Sequence, residues 1–219
     1  MTNPTIDGLQ KLKEYIPNNN IRCLDIGANT GQWIGAIREV YENPHIYSIE
    51  VNPHCEKHLA TKNVEYKIVG LSNKEGKMIL KTFARKPKSK GASFYTEVNL
   101  VNQDILEIEV PVTTLDTLFP TEIFDIVKID VQGAELDVIN GGIEFLRRHT
   151  YVLAEVALTE YNIGAPLANE VVNRLAELGF YVEDCLEEHP DGKGNLLQVD
   201  LLFSRDIEKH KKNITEKYL

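Results

Sequence analysis

Short apolar runs alternate along this chain with stretches whose apolar positions recur every three or four residues. The first pattern is that of a strand buried on both faces, the second that of an amphipathic helix. Their alternation predicts a parallel sheet covered by helices on both sides. Residues 5–15 read as a lead-in helix, stopped by Pro17 and the asparagines 18–20. A strand is expected over 22–25, a helix over 33–41 and a strand over 46–49. The next helix starts at Pro53, where a first turn tolerates proline, and runs to 61. A third strand covers 64–69.

Beyond it Gly76, Pro87 and Gly91 break the pattern, with strand-like pieces at 77–83 and 107–112. This reads as an insertion at the sheet edge, with a flexible loop over 84–106. A continuous apolar strand ends at Asp130, a helix is expected over 133–146, and a fifth strand over 151–156. A helix over 167–178 ends at Gly179, a common C-cap residue. Strands over 180–185 and 197–203 flank Asp191-Gly-Lys-Gly194, a hairpin-like turn that makes the last strand antiparallel. Residues 206–219 are mostly charged and read as a tail. Residues 1–219 are thus expected to form a single α/β domain.

Composition narrows the partners. A net charge of −9 over 219 residues argues against a nucleic-acid backbone. No apolar run reaches the roughly 20 residues of a membrane span. The start of the chain lacks the basic and apolar regions of a signal peptide. Cys23, Cys55 and Cys185 are isolated, which suits the reducing cytoplasm. Six histidines show no metal-ligand spacing beyond His54 and His58, four apart with no third ligand nearby, so no metal is expected. The basic stretch 85–90 reads as a solvated loop or as a flap that attracts an anionic substrate.

The chemistry concentrates at strand ends. Asp25 closes the first strand and Gly27 and Gly31 shape the turn after it. Glu50 closes the second strand, Asp130 the fourth, and Glu155 lies near the end of the fifth. Ligands of open α/β sheets gather on this edge. Backbone N–H groups of the glycine turn are expected to meet a ligand's polar end, and Glu50 its ribose hydroxyls. The G-x-G-x-x-G pattern is incomplete, with Ala28-Asn29 where a glycine lets backbone approach a diphosphate. Asp25 would also repel one. A phosphate-free, sulfonium-bearing nucleoside, S-adenosylmethionine, suits this set. Backbone N–H groups near Gly133 are expected to keep Asp130 ionised, and Glu135 reads as a helix-cap acid. An NAD-dependent oxidoreductase or epimerase is the enzymatic rival, disfavoured by the glycine pattern and the lack of a Tyr-x-x-x-Lys pair. A non-catalytic cofactor-binding module is the other.

These segments resemble the FkbM family of S-adenosylmethionine-dependent methyltransferases. The likeness rests on residues 25–32, 49–53, 70–76, 110–116 and 127–135, with a weaker match over 198–203, and Lys-Ile-Asp-Val-x-Gly-Ala-Glu is its most specific element. The resemblance implies a Rossmann-like class I methyltransferase fold of seven strands, the last antiparallel, and methyl transfer to a hydroxyl of a sugar, glycan or natural product. It implies that Asp25, Gly27, Asn29 and Gly31 hold the methionine part, Glu50 the ribose, and Leu71 and Ser72 the adenine. Ala28, Gln32, Asn52 and Asp130 complete the expected cofactor set. Asp130 and then Glu155 are the candidate bases, and Gln132, Ser93 and Tyr161 the candidate acceptor contacts. Val51 stands where the family often has proline, and Gln132 where many members have glutamate.

Overall fold

The computed structural model describes residues 4–98 and 104–206. Helix α1 (Pro4–Tyr15) precedes β1 (Arg22–Ile26), α2 (Gln32–Val40) and β2 (His45–Glu50). A 3-10 turn (Pro53–Cys55) leads into α3 (Glu56–Leu59), then β3 (Glu65–Ile68) and β4 (Gly70–Leu71). Next come β5 (Gly76–Phe83), β6 (Thr96–Glu97), β7 (Ile105–Thr113), α4 (Leu115–Leu118) and β8 (Ile126–Ile129). The chain continues through α5 (Glu135–Asn140), α6 (Ile143–Leu146), β9 (Tyr151–Ala157), β10 (Asn162–Ile163) and α7 (Ala168–Glu177) to the hairpin β11 (Tyr181–Pro190) and β12 (Leu196–Ser204).

Seven strands form the main sheet in the order β11-β12-β9-β8-β1-β2-β3. From β9 through β3 the pairs are parallel, and β12 runs antiparallel to both its neighbours. The middle strands are apolar on both faces because helices cover both. Leu24 and Ile26 join a core with α5, α6 and α7, while Cys23 joins a second core with α1 and α2. Period-two alternation therefore turns Asp25, Lys128 and Glu155 toward the α1–α2 side.

The expected helix over 133–146 is in fact two. A Cβ on Gly141 would lie 2.0 Å from the Ser72 carbonyl oxygen, and one on Gly142 would strike the Leu115 side chain at 2.7 Å. Two neighbouring segments thus press against the chain where α5 gives way to α6. The edge insertion is a separate three-stranded sheet, β4-β7-β5, and β6 pairs with β10 rather than lying in a structureless loop. Residues 99–103 of that insertion and 207–219 of the expected tail lie outside the described residues.

Gly27 shows why the turn after β1 needs glycine. Its φ is +88°, and a Cβ there would sit 1.7 Å from the Asp130 carbonyl oxygen, which is backbone and cannot move aside. The missing side chain makes room for the end of β8. Gly27→Ala is expected to destabilise the protein by at least about 3 kcal/mol, from a strained φ plus a displaced strand end. Urea unfolding would measure it, and a loss below about 1 kcal/mol, the mean for any point change, would contradict the close approach.

Candidate active site

A cavity of about 690 Å³ opens over the carboxyl ends of β1, β2, β8 and β9. Its size lies within the roughly 300–1,000 Å³ of small-molecule sites. One end is apolar, with Val51, Val69, Leu71, Leu80, Ala92 and Phe94. The other is polar, with Lys128, Asp130, Gln132, Glu155, Glu187, His189, Gln198 and Asp200. Glu50 stands between them.

Glu50 is 5% exposed. Each of its oxygens accepts one backbone N–H, Oε2 from Asn29 at 2.6 Å and Oε1 from Asn52 at 2.7 Å. Burial pushes its carboxyl up to about 7, against the pull of those two bonds. Each oxygen keeps a lone pair, so the group can receive two further donors. The glycine turn itself has little left to give. Gly27 and Ala28 N–H donate to the Ile49 carbonyl, Asn29 N–H to Glu50, and Gly31 N–H to the Ala28 carbonyl. The expected cradle of free N–H groups is thus spent on β2, because the turn folds back against that neighbouring strand. The donors left on this side are the first N–H groups of α2, from Gln32 onward.

Deeper in, Lys128 is 7% exposed and organises the acids. Its Nζ donates to Asp130 Oδ2 at 2.7 Å and lies 4.0 Å from Asp25 Oδ1. Burial works to raise Asp130, but Lys128, with help from Gln132, holds its carboxyl below the usual range. The ionising influence is thus a lysine. The N–H groups of Val131 and Gly133 go instead to Glu135, whose carboxyl burial pushes up to about 7. Burial raises Asp25 to about 6, and neither of its oxygens has a hydrogen-bond partner among the described residues. Burial, then the charges of Asp130 and Asp200, raise Glu155 well above the ordinary carboxyl value.

Gln132 ties this region together. Its Nε2 donates to Asp130 Oδ1 at 2.9 Å and Glu155 Oε2 at 2.6 Å, and its Oε1 accepts from the Tyr161 hydroxyl at 3.1 Å. Ser93 Oγ donates to the Gln132 carbonyl at 2.6 Å. The stretch before Ser93 closes over the other end. Asn52 Nδ2 donates to the Pro87 carbonyl at 2.6 Å, and Asn29 Nδ2 reaches the carbonyls of Lys88 and Ser89. The basic segment therefore lies against Asn29 and Asn52, with Lys90 on the cavity wall.

Of the residues expected from the sequence, Gly27, Ala28, Asn29, Gln32, Glu50, Leu71, Ser93, Asp130, Gln132 and Glu155 line this cavity. Asp25, Gly31, Asn52, Ser72 and Tyr161 do not line it. Asp25 acts through Lys128, Asn52 by bracing Glu50, and Tyr161 by orienting Gln132. Lys128, His189 and Asp200 were not expected. Only Lys128 left a signal, as one charge inside an otherwise apolar strand.

The model of the methyltransferase FkbM domain matches residues 25–182, well over half of the chain. The chain belongs to the FkbM methyltransferase family. Members of this family are S-adenosylmethionine-dependent methyltransferases, and so is this protein. Two solved structures are similar at low identity, and the first shares the fold. One, a hemolysin candidate from Lactococcus lactis, is 16% identical, with 94% of this chain and 88% of that chain covered at a TM-score of 0.52. A TehB-like S-adenosylmethionine-dependent methyltransferase from Corynebacterium glutamicum is 10% identical, with 90% and 86% covered and a TM-score of 0.48. A search of curated proteins returns no match.

The cavity of this FkbM methyltransferase fits the cofactor on its own chemistry. Glu50 offers two acceptor positions for a ribose diol, beside an apolar slot for a base.

Proposed function

We propose that this methyltransferase acts on a hydroxyl group of a sugar, glycan or natural product, as one domain working in the cytoplasm. One observation carries the reading. The polar end of the cavity is lined by Asp130, Gln132, Glu155, Glu187, Gln198 and Asp200, a set rich in acceptor oxygens. Hydroxyl groups are donors that match such a surface, and a polyhydroxylated acceptor offers several at once. The same acids disfavour a nucleic-acid backbone.

In this reading Glu50 receives the ribose hydroxyls, with Leu71 and its apolar neighbours against the adenine. The N-terminal N–H groups of α2, from Gln32 onward, remain for the methionine carboxylate. S-adenosylmethionine supplies a methyl group already activated on a sulfonium. The protein's work is then to align, which can contribute about 7–11 kcal/mol. Asp130, held ionised by Lys128, accepts the acceptor's O–H hydrogen bond and takes its proton, while Glu155 fixes the hydroxyl from the other side. Gln132 donates to both carboxyl groups and fixes their relative position.

Calorimetry with S-adenosylhomocysteine, and NAD as control, is the first test. Binding of the former without the latter is expected, followed by methyl transfer to methyl glycosides or polyols in a panel that also contains amines. Transfer to amines alone would overturn the hydroxyl assignment. Tight S-adenosylhomocysteine binding with no transfer to any member would favour a binding module.

A further inference from the structure

The far wall of the cavity holds side chains that the donor does not use. Glu155 on β9, His189 on β11 and Asp200 on β12 converge there. His189 Nε2 lies 2.9 Å from Asp200 Oδ1 and 3.7 Å from Glu155 Oε1. One potential ligand atom from each falls within 4.8 Å of the others. Glu155 and Asp200 are direct partners in the β9–β12 register. His189 Nε2 is hydrogen-bonded to Asp200 Oδ1, so an ion here would take the place of the proton that now joins them. Lys128 Nζ is committed to Asp130 and lies close to Asp25.

A second observation lies outside the three. Gln132 and Gln198 both direct Nε2 at the same oxygen of Glu155, Oε2, at 2.6 and 2.5 Å. That double bond of donors fixes the carboxylate and leaves Oε1 turned toward His189. Hydrogen bonds that hold a ligating group from behind, with one atom aimed inward, are the usual support of a metal ligand. The spacing also fits. Adjacent ligands at about 2.1 Å from an octahedral ion are roughly 3 Å apart, close to the separations seen here.

We propose that Glu155, His189 and Asp200 form a divalent-metal site at the acceptor end of the cavity. One imidazole with two carboxylates suits Mn²⁺, Fe²⁺ or Zn²⁺ better than Ca²⁺, which takes oxygen ligands alone. Three protein ligands on one side of the ion leave its other positions to water and to acceptor oxygens, and two neighbouring hydroxyls of a sugar would fill two of them. The inference rests on the hydroxyl reading above and deepens it. Glu155 then holds the ion, and Asp130 is left as the proton acceptor. Glu155 lies inside the segment 25–182 that matches the family, and His189 and Asp200 lie outside it, so the terminal hairpin completes the site.

Mn²⁺ titrated into the full chain with S-adenosylhomocysteine, followed by electron paramagnetic resonance, tests it. One saturable site is expected at or below about 100 µM, in the range of exchangeable divalent sites. His189→Ala and Asp200→Asn are each expected to weaken Mn²⁺ binding at least ~10-fold, as is Gln198→Ala, which removes a donor behind Glu155. All three should bind S-adenosylhomocysteine as the wild type does, which shows that they fold. Water-proton relaxation should be enhanced in the Mn²⁺ complex, because open positions face the cavity. No saturable binding, binding that the variants leave unchanged, or an ion without exchangeable water would overturn the proposal. Failure of the methyltransferase reading would show separately, as wild-type protein that does not bind S-adenosylhomocysteine.

Discussion

Glu50→Ala is expected to weaken S-adenosylhomocysteine binding by about 10²–10⁴-fold. Two hydroxyl hydrogen bonds to a charged, buried acceptor are lost, each worth roughly 1.5–3 kcal/mol. The wild-type affinity should also depend on pH. Burial raises the Glu50 carboxyl to about 7, and the ionised form is the better ribose acceptor. Affinity should therefore rise about tenfold between pH 6 and pH 8, following the ionised fraction, and level off above. Glu50→Gln should bind weakly at every pH, without that slope. The apoprotein should behave in the opposite sense. A carboxyl whose folded pKa is raised contributes most to stability below its unfolded value and loses that contribution as pH climbs through the folded one. Between about pH 4.5 and pH 8 the Glu50→Gln protein should gain on the wild type by about 3 kcal/mol. Calorimetric titrations and urea unfolding at matched pH would read both slopes. A pH-independent affinity in the wild type would show that Glu50 does not hold the ribose.

Lys128→Met should cost about 3–5 kcal/mol, the usual result of removing one partner from a buried ion pair. For a chain of this size that is a fall in Tm of roughly 6–20 °C. Two carboxylates lose their cation at once, and Asp25 has no hydrogen bond to fall back on. The deficit should shrink in acid. Asp25 already titrates near 6 in the wild type and will take up a proton more readily without Lys128. Adding Asp25→Asn should recover about 1–3 kcal/mol of the loss, a coupling that thermal melts of the four proteins in a double-mutant cycle would measure. If Lys128→Met melted like the wild type at pH 8, Lys128 would not be the counter-ion of this cluster.

The sheet was legible because burial on both faces leaves a plain mark: apolar runs such as Ile126–Ile129, closed by acids at their carboxyl ends. Glu50 and Asp130 could be placed from that mark alone. The state of Asp130 could not, although the clue was present. A lysine inside a strand that is otherwise Ile, Val and Ile needs a buried anion, and Asp25 is its register partner on β1. The glycine turn misled for a physical reason. Its N–H groups can serve a ligand or the neighbouring strand, and only the fold shows that Ile49 and Glu50 take them. His189 and Asp200 left no trace in the sequence. They meet through a hairpin whose register shifts between Val182 and Asp184, Cys185 and Glu187, and His189 and Pro190. Each irregularity changes which side chains share a face, so spacing along the chain cannot predict the pairing.

The cavity wall is drawn from two kinds of sequence. Residues from Gly27 to Glu155 fall inside the segment shared with the family, whereas Thr5, Glu187, His189, Gln198 and Asp200 fall outside it. Thr5 Oγ1 donates to Glu187 at 3.1 Å, so the first helix and the terminal hairpin meet at the far end of the cavity. In the proposed reading the donor half is inherited, and the acceptor half is mixed: Asp130, Gln132 and Glu155 come with the family segment, and the terminal hairpin adds Glu187, His189, Gln198 and Asp200. Exchange of the 181–204 hairpin between homologues is then the shortest route by which such an enzyme could change what it methylates.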